Sequence, residues 1–272
     1  MSVLGIVGSP RKNGLTAQVV QRCLEGVAKA GVKTEMLYLV DFHIQPCRDC
    51  YPTLSCWEEG KCYHKDDFQA ISRKIDRASG LVLGSAVYYG DVTNSVGNLI
   101  NKKMRHRTEE LVEGIPGIGI AVAGGRGGGS ISALRRIYHF FRVIRVRGMT
   151  PIAVTRFNLP AALDETLQAG HDTASVIQKG ELLKGPQRLA AFVELPLLSY
   201  DYLQERLHQV NHIIKGAQRE EPSTSMKKAV NLYKKAEDLR KTGDRVGAFA
   251  AVEEALKVAT SIWNPERKVR SG

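Results

Sequence analysis

The sequence predicts an α/β protein built on a doubly wound parallel sheet of five strands, followed by an all-helical C-terminal extension. Three observations lead there. Short uninterrupted apolar runs of strand length recur through the first 155 residues. Stretches with helical apolar spacing alternate with them. Beyond Pro196 the strand-like runs stop and only helical spacing is left.

Residues 3–7 form a continuous apolar run, as expected of a strand buried on both faces. A helix over 16–30 places Val19, Val20, Cys23, Leu24 and Val27 on one side, and Gly31 closes it. Residues 36–40 read as strand two, and a cysteine-rich loop over 43–65 follows. Asp66 and Asp67 can cap a helix whose inner face is Phe68, Ile71 and Ile75. Strand three is expected at 81–83, then a basic helix, then strand four at 118–122. A helix with Leu134, Ile137, Tyr138, Phe141 and Ile144 inward ends at Gly148, and residues 150–154 make strand five. The expected strand order is 2-1-3-4-5.

From 156 to about 185 the periodicity weakens, and the expectation is a long loop with one helical turn. Residues 186–195 supply the last helix of a first domain, 1–195. The extension, 196–272, contains a helix over 200–214, a linker over 220–225, and helices over 226–241 and 245–263. The spacing of Tyr233, Ala236, Leu239, Gly243, Ala248, Ala255 and Ala259 resembles one tetratricopeptide-like hairpin. A single hairpin forms no solenoid, so packing or assembly is its expected use.

Composition narrows the class. With 43% hydrophobic and 25% charged residues the chain reads as an ordinary globular protein. It shows no run of about 18 apolar residues and opens directly into a strand, so a cytoplasmic protein is expected. The formal charge of +11 concentrates between Lys102 and Arg147, with ten Lys or Arg against three Glu. No nucleic-acid-binding motif accompanies it. A solvated helix face, able to attract a phosphorylated cofactor such as NADPH, is the simpler reading.

Ligands of a doubly wound sheet bind beyond the carboxyl ends of its strands. Three loops leave those ends here. Gly8-Ser9-Pro10-Arg11-Lys12-Asn13-Gly14-Leu15-Thr16 offers hydroxyls, an amide and positive charge at a helix N-terminus, the composition of a phosphate cradle. Ser85-Ala86-Val87-Tyr88-Tyr89-Gly90 places adjacent aromatics where they can cover a planar ring. Gly124-Gly125-Arg126-Gly127-Gly128-Gly129 suggests backbone that approaches a ligand closely. Each is modest alone, with an ordinary turn, packing tyrosines and a flexible loop as the plainer alternatives. In order, at three strand ends, they suit flavin mononucleotide (FMN).

These segments, "GSPRKNGLT", "GKCYHKDD", "SAVYYG" and "GGRGGG", resemble the NAD(P)H-dependent FMN reductase and iron–sulfur flavoprotein family, whose fold is flavodoxin-like. The resemblance implies phosphate contacts from Ser9, Arg11, Asn13, Leu15 and Thr16. It implies ring and ribityl contacts from Ser85, Val87, Tyr88, Tyr89 and Gly90, with Gly124 and Gly125 on the far side. Leu15 stands for a usual Asn and Ala86 for a usual Pro. Asn101-Lys102 replaces a common Asp-Arg, which is expected to remove a structural ion pair.

Cys47, Cys50, Cys56 and Cys62 lie within sixteen residues, whereas Cys23 stands apart as a small buried hydrophobe. One compact cluster in a chain without a secretory leader points to metal rather than disulfides. Four thiolates match a 4Fe–4S cluster, with tetrahedral zinc the alternative and idle thiols a third reading. Placed after strand two, the cluster is expected on the phosphate side, far from its own subunit's ring. A homo-oligomer, dimer or tetramer, would then bring the cluster to a neighbour's ring. The expected function is a redox flavoprotein passing electrons between ferredoxin or NAD(P)H and a small acceptor. A plain flavin or quinone reductase and a redox-sensing module are its rivals. No general acid or base is expected.

Overall fold

A computed structural model of the chain describes residues 1–50, 56, 62–106, 113–125, 127–217 and 223–263. Its strands are β1 (Ser2–Gly8), β2 (Lys33–Tyr38), β3 (Gly80–Tyr88), β4 (Asp91–Val92), β5 (Pro116–Ala123), β6 (Arg147–Gly148) and β7 (Ile152–Thr155). The helices are α1 (Leu15–Lys29), α2 (Phe68–Arg77), α3 (Asn94–Arg105), α4 (Ser130–Val143), α5 (Leu159–Lys179), α6 (Gly185–Val193), α7 (Tyr202–Ala217), α8 (Thr224–Lys241) and α9 (Arg245–Trp263). No helix among the described residues is long and apolar enough to cross a membrane.

β1 pairs in parallel with β2 on one side and β3 on the other, and β3 pairs in parallel with β5. β6 and β7 both pair with β5. Counting them as one interrupted strand, the order is the expected 2-1-3-4-5, a flavodoxin-like sheet. Pro151 explains the interruption, because it has no N–H to give to the ladder. The buried Tyr138 hydroxyl bridges the gap, accepting from Gly119 N–H at 3.1 Å and donating to the Met149 carbonyl at 2.6 Å. β3 runs five residues past the expected 81–83, and short β4 pairs antiparallel with its end.

Residues 156–185, expected as a loop, contain the 21-residue α5. Its buried positions include Ala162, Thr166, Gly170, Thr173 and Ala174. Small side chains carry little hydrophobic signal, so the periodicity was hidden. They allow close approach to α1. A Cβ at Gly26 would lie 2.1 Å from the Leu167 carbonyl oxygen, and one at Gly170 would lie 2.0 Å from that of Cys23. Neither position accepts a side chain without separating the backbones.

The chain divides into two compact units. One comprises residues 1–123, 129–154 and 160–199; the other comprises 124–128, 155–159 and 200–272. The second has its own core. Leu203, Leu207, Val210 and Ile213 of α7 meet a row of alanines on α8 and α9, with Val252 and Leu256. The expected linker over 220–225 falls largely outside the described residues. Its end is visible as Ser223, whose hydroxyl oxygen caps α8 by accepting from Met226 N–H at 3.2 Å.

Gly170→Ala is expected to destabilise the protein by about 1–3 kcal/mol despite the better helix former, because a backbone carbonyl blocks the new methyl group. A lowered urea midpoint at unchanged slope checks this.

Candidate functional site

The first loop leaves β1 at Gly8 and turns into α1. Gly14 N–H donates to the Arg11 carbonyl at 3.2 Å, and Arg11 N–H donates to the Ser9 hydroxyl oxygen at 3.2 Å. Gly14 is the N-cap of α1, with no side-chain cap and no acidic residue in the first turn. The helix therefore presents its N-terminal amides and positive dipole end with no carboxylate in its own first turn. Arg11 and Asn13 are exposed, Leu15 is half-buried, and Ser9 and Thr16 are buried. Lys12 instead pairs with Asp41 at 2.6 Å. The arrangement fits a phosphate.

The second loop is the tip of a hairpin. Val87 pairs with Val92 and Tyr88 with Asp91, which leaves Tyr89 and Gly90 as the two central residues. Both have positive φ, 50° and 87°, as a type I′ turn requires. That conformation is natural for Gly90 and costs an aromatic residue about 1–3 kcal/mol. Tyr89 is nevertheless fully exposed at 111%, and Tyr88 at 47%. A solvated aromatic pair at a strand end, its second member strained, fits a planar ligand.

The Ser85 side chain faces inward, where its hydroxyl accepts from Thr93 N–H at 3.0 Å and donates to the Ala86 carbonyl at 2.8 Å. The Thr93 hydroxyl donates to the Gly8 carbonyl at 2.9 Å. Thr93, the N-cap of α3, thus ties the first loop to the second, a role sequence reasoning missed. Its signal was a threonine just before a helical run.

Gly124 and Gly125 continue directly from β5, both exposed, and a Cβ on either would meet nothing within 4 Å. They cluster with the second unit, whereas the other expected flavin contacts, Ser9 to Thr16 and Ser85 to Gly90, lie in the first. Arg126 lies outside the described residues. Gly129, φ 83°, begins α4, and a Cβ there would lie 2.3 Å from the Gly90 Cα. This glycine lets the third loop's end rest on the hairpin tip.

The two aspartates ending the cysteine motif close that loop at its base. Asp66 accepts from Gln45 N–H at 2.8 Å and from Phe68 N–H at 3.2 Å. Asp67 accepts from His43 N–H at 2.7 Å, and its own N–H donates to the His43 carbonyl at 3.0 Å. Asp66 caps α2 as expected; Asp67 holds the N-cap position but spends its carboxylate on the loop.

Asp66 also forms an ion pair with Lys102, both side chains enclosed. Lysine at 102 thus makes an enclosed ion pair of its own, while Asn101, where aspartate was usual, accepts from Arg136 through a neutral amide. Lys103 likewise pairs with Asp76 at 2.5 Å inside the protein. The basic helix is thus no simple solvated face. Enclosure pushes the Asp66 carboxyl up, but hydrogen bonds from Lys102, Gln45 and Phe68 outweigh it and hold the group below its ordinary 3.8.

All five cysteines are reduced. Cys47, Cys50, Cys56 and Cys62 are half-buried. Burial raises the Cys56 thiol, and the charges of Cys47, Cys62 and Cys50 raise it further. The donor set suits a soft metal or an iron–sulfur cluster. Among the described residues, no group of three or more His, Cys, Asp or Glu is gathered to hold a metal ion. Most of the intervening loop, including Tyr51 to Ser55, lies outside the described residues.

The sheet order, with loops open at its carboxyl edge, defines a flavodoxin-like protein. Residues 1–161 match the family model for NADPH-dependent FMN reductase, and the chain belongs to that family. An iron–sulfur flavoprotein of Methanocaldococcus jannaschii is 36% identical over 143 residues, 53% of this chain and 72% of that one. One of Archaeoglobus fulgidus is 35% identical over 107 residues, 39% of this chain and about half, 51%, of its own length. Among solved structures, a flavone reductase aligns with TM-score 0.53 at 15% identity, covering 66% of this chain and 64% of that one. An NAD(P)H:quinone oxidoreductase from Methanothermobacter marburgensis aligns with TM-score 0.53 at 17% identity, covering 63% and 96%. These two likenesses concern the fold.

Lys102→Met leaves the Asp66 carboxylate enclosed without its cation and is expected to cost about 3–5 kcal/mol. Adding Asp66→Asn should recover much of that loss, and denaturant titration of both variants checks it. Because Asp66 is held below its ordinary value, its contribution is full above pH 3.8 and disappears as pH falls through the folded value. Acid unfolding of the double variant should therefore lack this component.

Proposed function

We propose that the chain is an FMN-dependent redox protein with a four-thiolate iron–sulfur centre, passing electrons between ferredoxin or NAD(P)H and a small acceptor. The observation that carries the flavin reading is the uncapped, acid-free N-terminus of α1 facing the same sheet edge as the exposed Tyr88-Tyr89 pair. In this reading Ser9, Arg11, Asn13, Leu15 and Thr16 hold the phosphate through side chains and helix amides. Val87, Tyr88, Tyr89 and Gly90 hold the ring. Ser85 acts by shaping the hairpin, since its hydroxyl is already engaged. Gly124 and Gly125, in the other compact unit, remain flavin contacts by the family resemblance alone. Bound FMN supplies hydride and single-electron chemistry, while these residues orient it and limit its contact with water.

Cys47, Cys50, Cys56 and Cys62 would ligate a 4Fe–4S cluster, with zinc as the alternative occupant. Support comes from the donor set itself, with the other three cysteines close enough to raise the Cys56 thiol, and from relatives named iron–sulfur flavoproteins. The same reading includes a homo-oligomer, dimer or tetramer, that brings one subunit's cluster to another's flavin. One observation favours a second reading, an NAD(P)H-dependent flavin or quinone reductase without a cluster: no metal-holding group is gathered among the described residues.

The deciding test is the absorption spectrum of anaerobically purified protein with iron and sulfide assays. Flavin bands with about four iron and four sulfide per chain are expected; flavin without iron would select the second reading, and neither would refute the proposal. Arg11→Ala should weaken FMN binding about tenfold or more, the worth of a charge-assisted hydrogen bond. Riboflavin, which lacks the phosphate, should bind both proteins equally in fluorescence titrations.

A further inference from the structure

α3 touches both parts of the proposed redox machinery. Its N-cap, Thr93, is bonded to Ser85 at the root of the hairpin and to Gly8 at the root of the phosphate loop. One turn on, the Asn98 side-chain amide donates to the Ile44 carbonyl at 2.9 Å, at the start of the cysteine loop. Another turn on, Lys102 reaches Asp66, which itself holds Gln45 and Phe68. Arg105 in the last turn meets Asp49 at 3.0 Å on the surface, between Cys47 and Cys50. Twelve residues of helix make a rod about 18 Å long.

These contacts differ in strength. The Arg105 pair is solvated and contributes little. Lys102 and Asp66 are 2% and 0% exposed, so their attraction is unscreened and their separation would strand a charge. The Lys102 ammonium also lies 5.5 Å from the centre of the buried Phe68 ring. Of the tethers between α3 and the cysteine loop, this one cannot loosen without opening the interior.

We propose that Lys102 is a positioning residue that locks the base of the cysteine loop to the helix leaving the hairpin, so that the flavin site and the four cysteines are thermodynamically coupled. The inference rests on the flavin reading above. Flavin binding orders the hairpin tip and the start of α3, and through Lys102 it restrains the loop base. By reciprocity, a centre held by the four thiolates tightens flavin binding by the same factor.

The test uses the full chain, reduced and metal-free, with FMN as the probe. Alkylation of each cysteine by iodoacetamide is followed by mass spectrometry with and without saturating FMN. The dissociation constant is measured on the same samples. Cys23, fully buried and with its thiol pushed up to about 12, reports any global unfolding. In the unmodified protein FMN is expected to slow alkylation of Cys47, Cys50 and Cys62 by on the order of fivefold, the low end of ordinary coupling. Asp66→Asn/Lys102→Met, which leaves no stranded charge, should bind FMN within about threefold yet lose most of the slowing; Lys102→Arg should keep it. Slowing that persists in the double variant would mean direct shielding by FMN and would overturn the proposal. FMN binding without slowing in the unmodified protein would overturn it too and leave the flavin reading intact. Failure to bind FMN at all would sink the flavin reading, and this inference with it.

Discussion

The contact on which the arrangement of the site most depends is the enclosed pair between Lys102 and Asp66. The chain between β2 and α2 carries four cysteines and leaves the sheet for a long excursion. Nothing in the strand pairing fixes where that excursion begins and ends. Asp66 and Asp67 draw its two ends together at His43 and Gln45, and Lys102 anchors the closed loop to α3. A loop of this length held only by surface contacts would explore many conformations. A charge pair shut away from water fixes the base of the loop against α3.

The same economy governs the rest of the basic segment. Lys103 is spent on Asp76, Arg105 on Asp49 and Arg136 on the Asn101 side chain. Arg135 and Arg147 donate to the carbonyls of Leu198 and Glu181. Arg142 meets the His139 ring, so with Lys102 seven of the eight described cations between positions 102 and 147 bond within the chain. Of these, Lys102 and Lys103 are enclosed with carboxylates and take no part in a surface charge.

The sheet and its order were legible because buried strands must be apolar, and runs such as Val3 to Val7 have no other good use. The turn from β1 into α1 was legible because a polar, glycine-bounded stretch separates the two periodicities. α5 was not, since Gly170, Ala162 and Ala174 pack by lacking side chains, and absence leaves no periodic signal. The hairpin at Tyr89-Gly90 was hidden for another reason: Tyr-Gly is a poor type I′ turn, and local preference argued for a loop. The Lys102–Asp66 pair was missed because two residues 36 positions apart meet only after the sheet is built.

Tyr89 shows what such a compromise means over evolutionary time. Asparagine or glycine would sit in its left-handed backbone with less strain, and the hairpin would be firmer for the change. A lineage screened only for heat tolerance would replace this tyrosine early. One that must also keep a ligand at the carboxyl edge of β3 would retain it, and accept a slightly less stable fold in exchange.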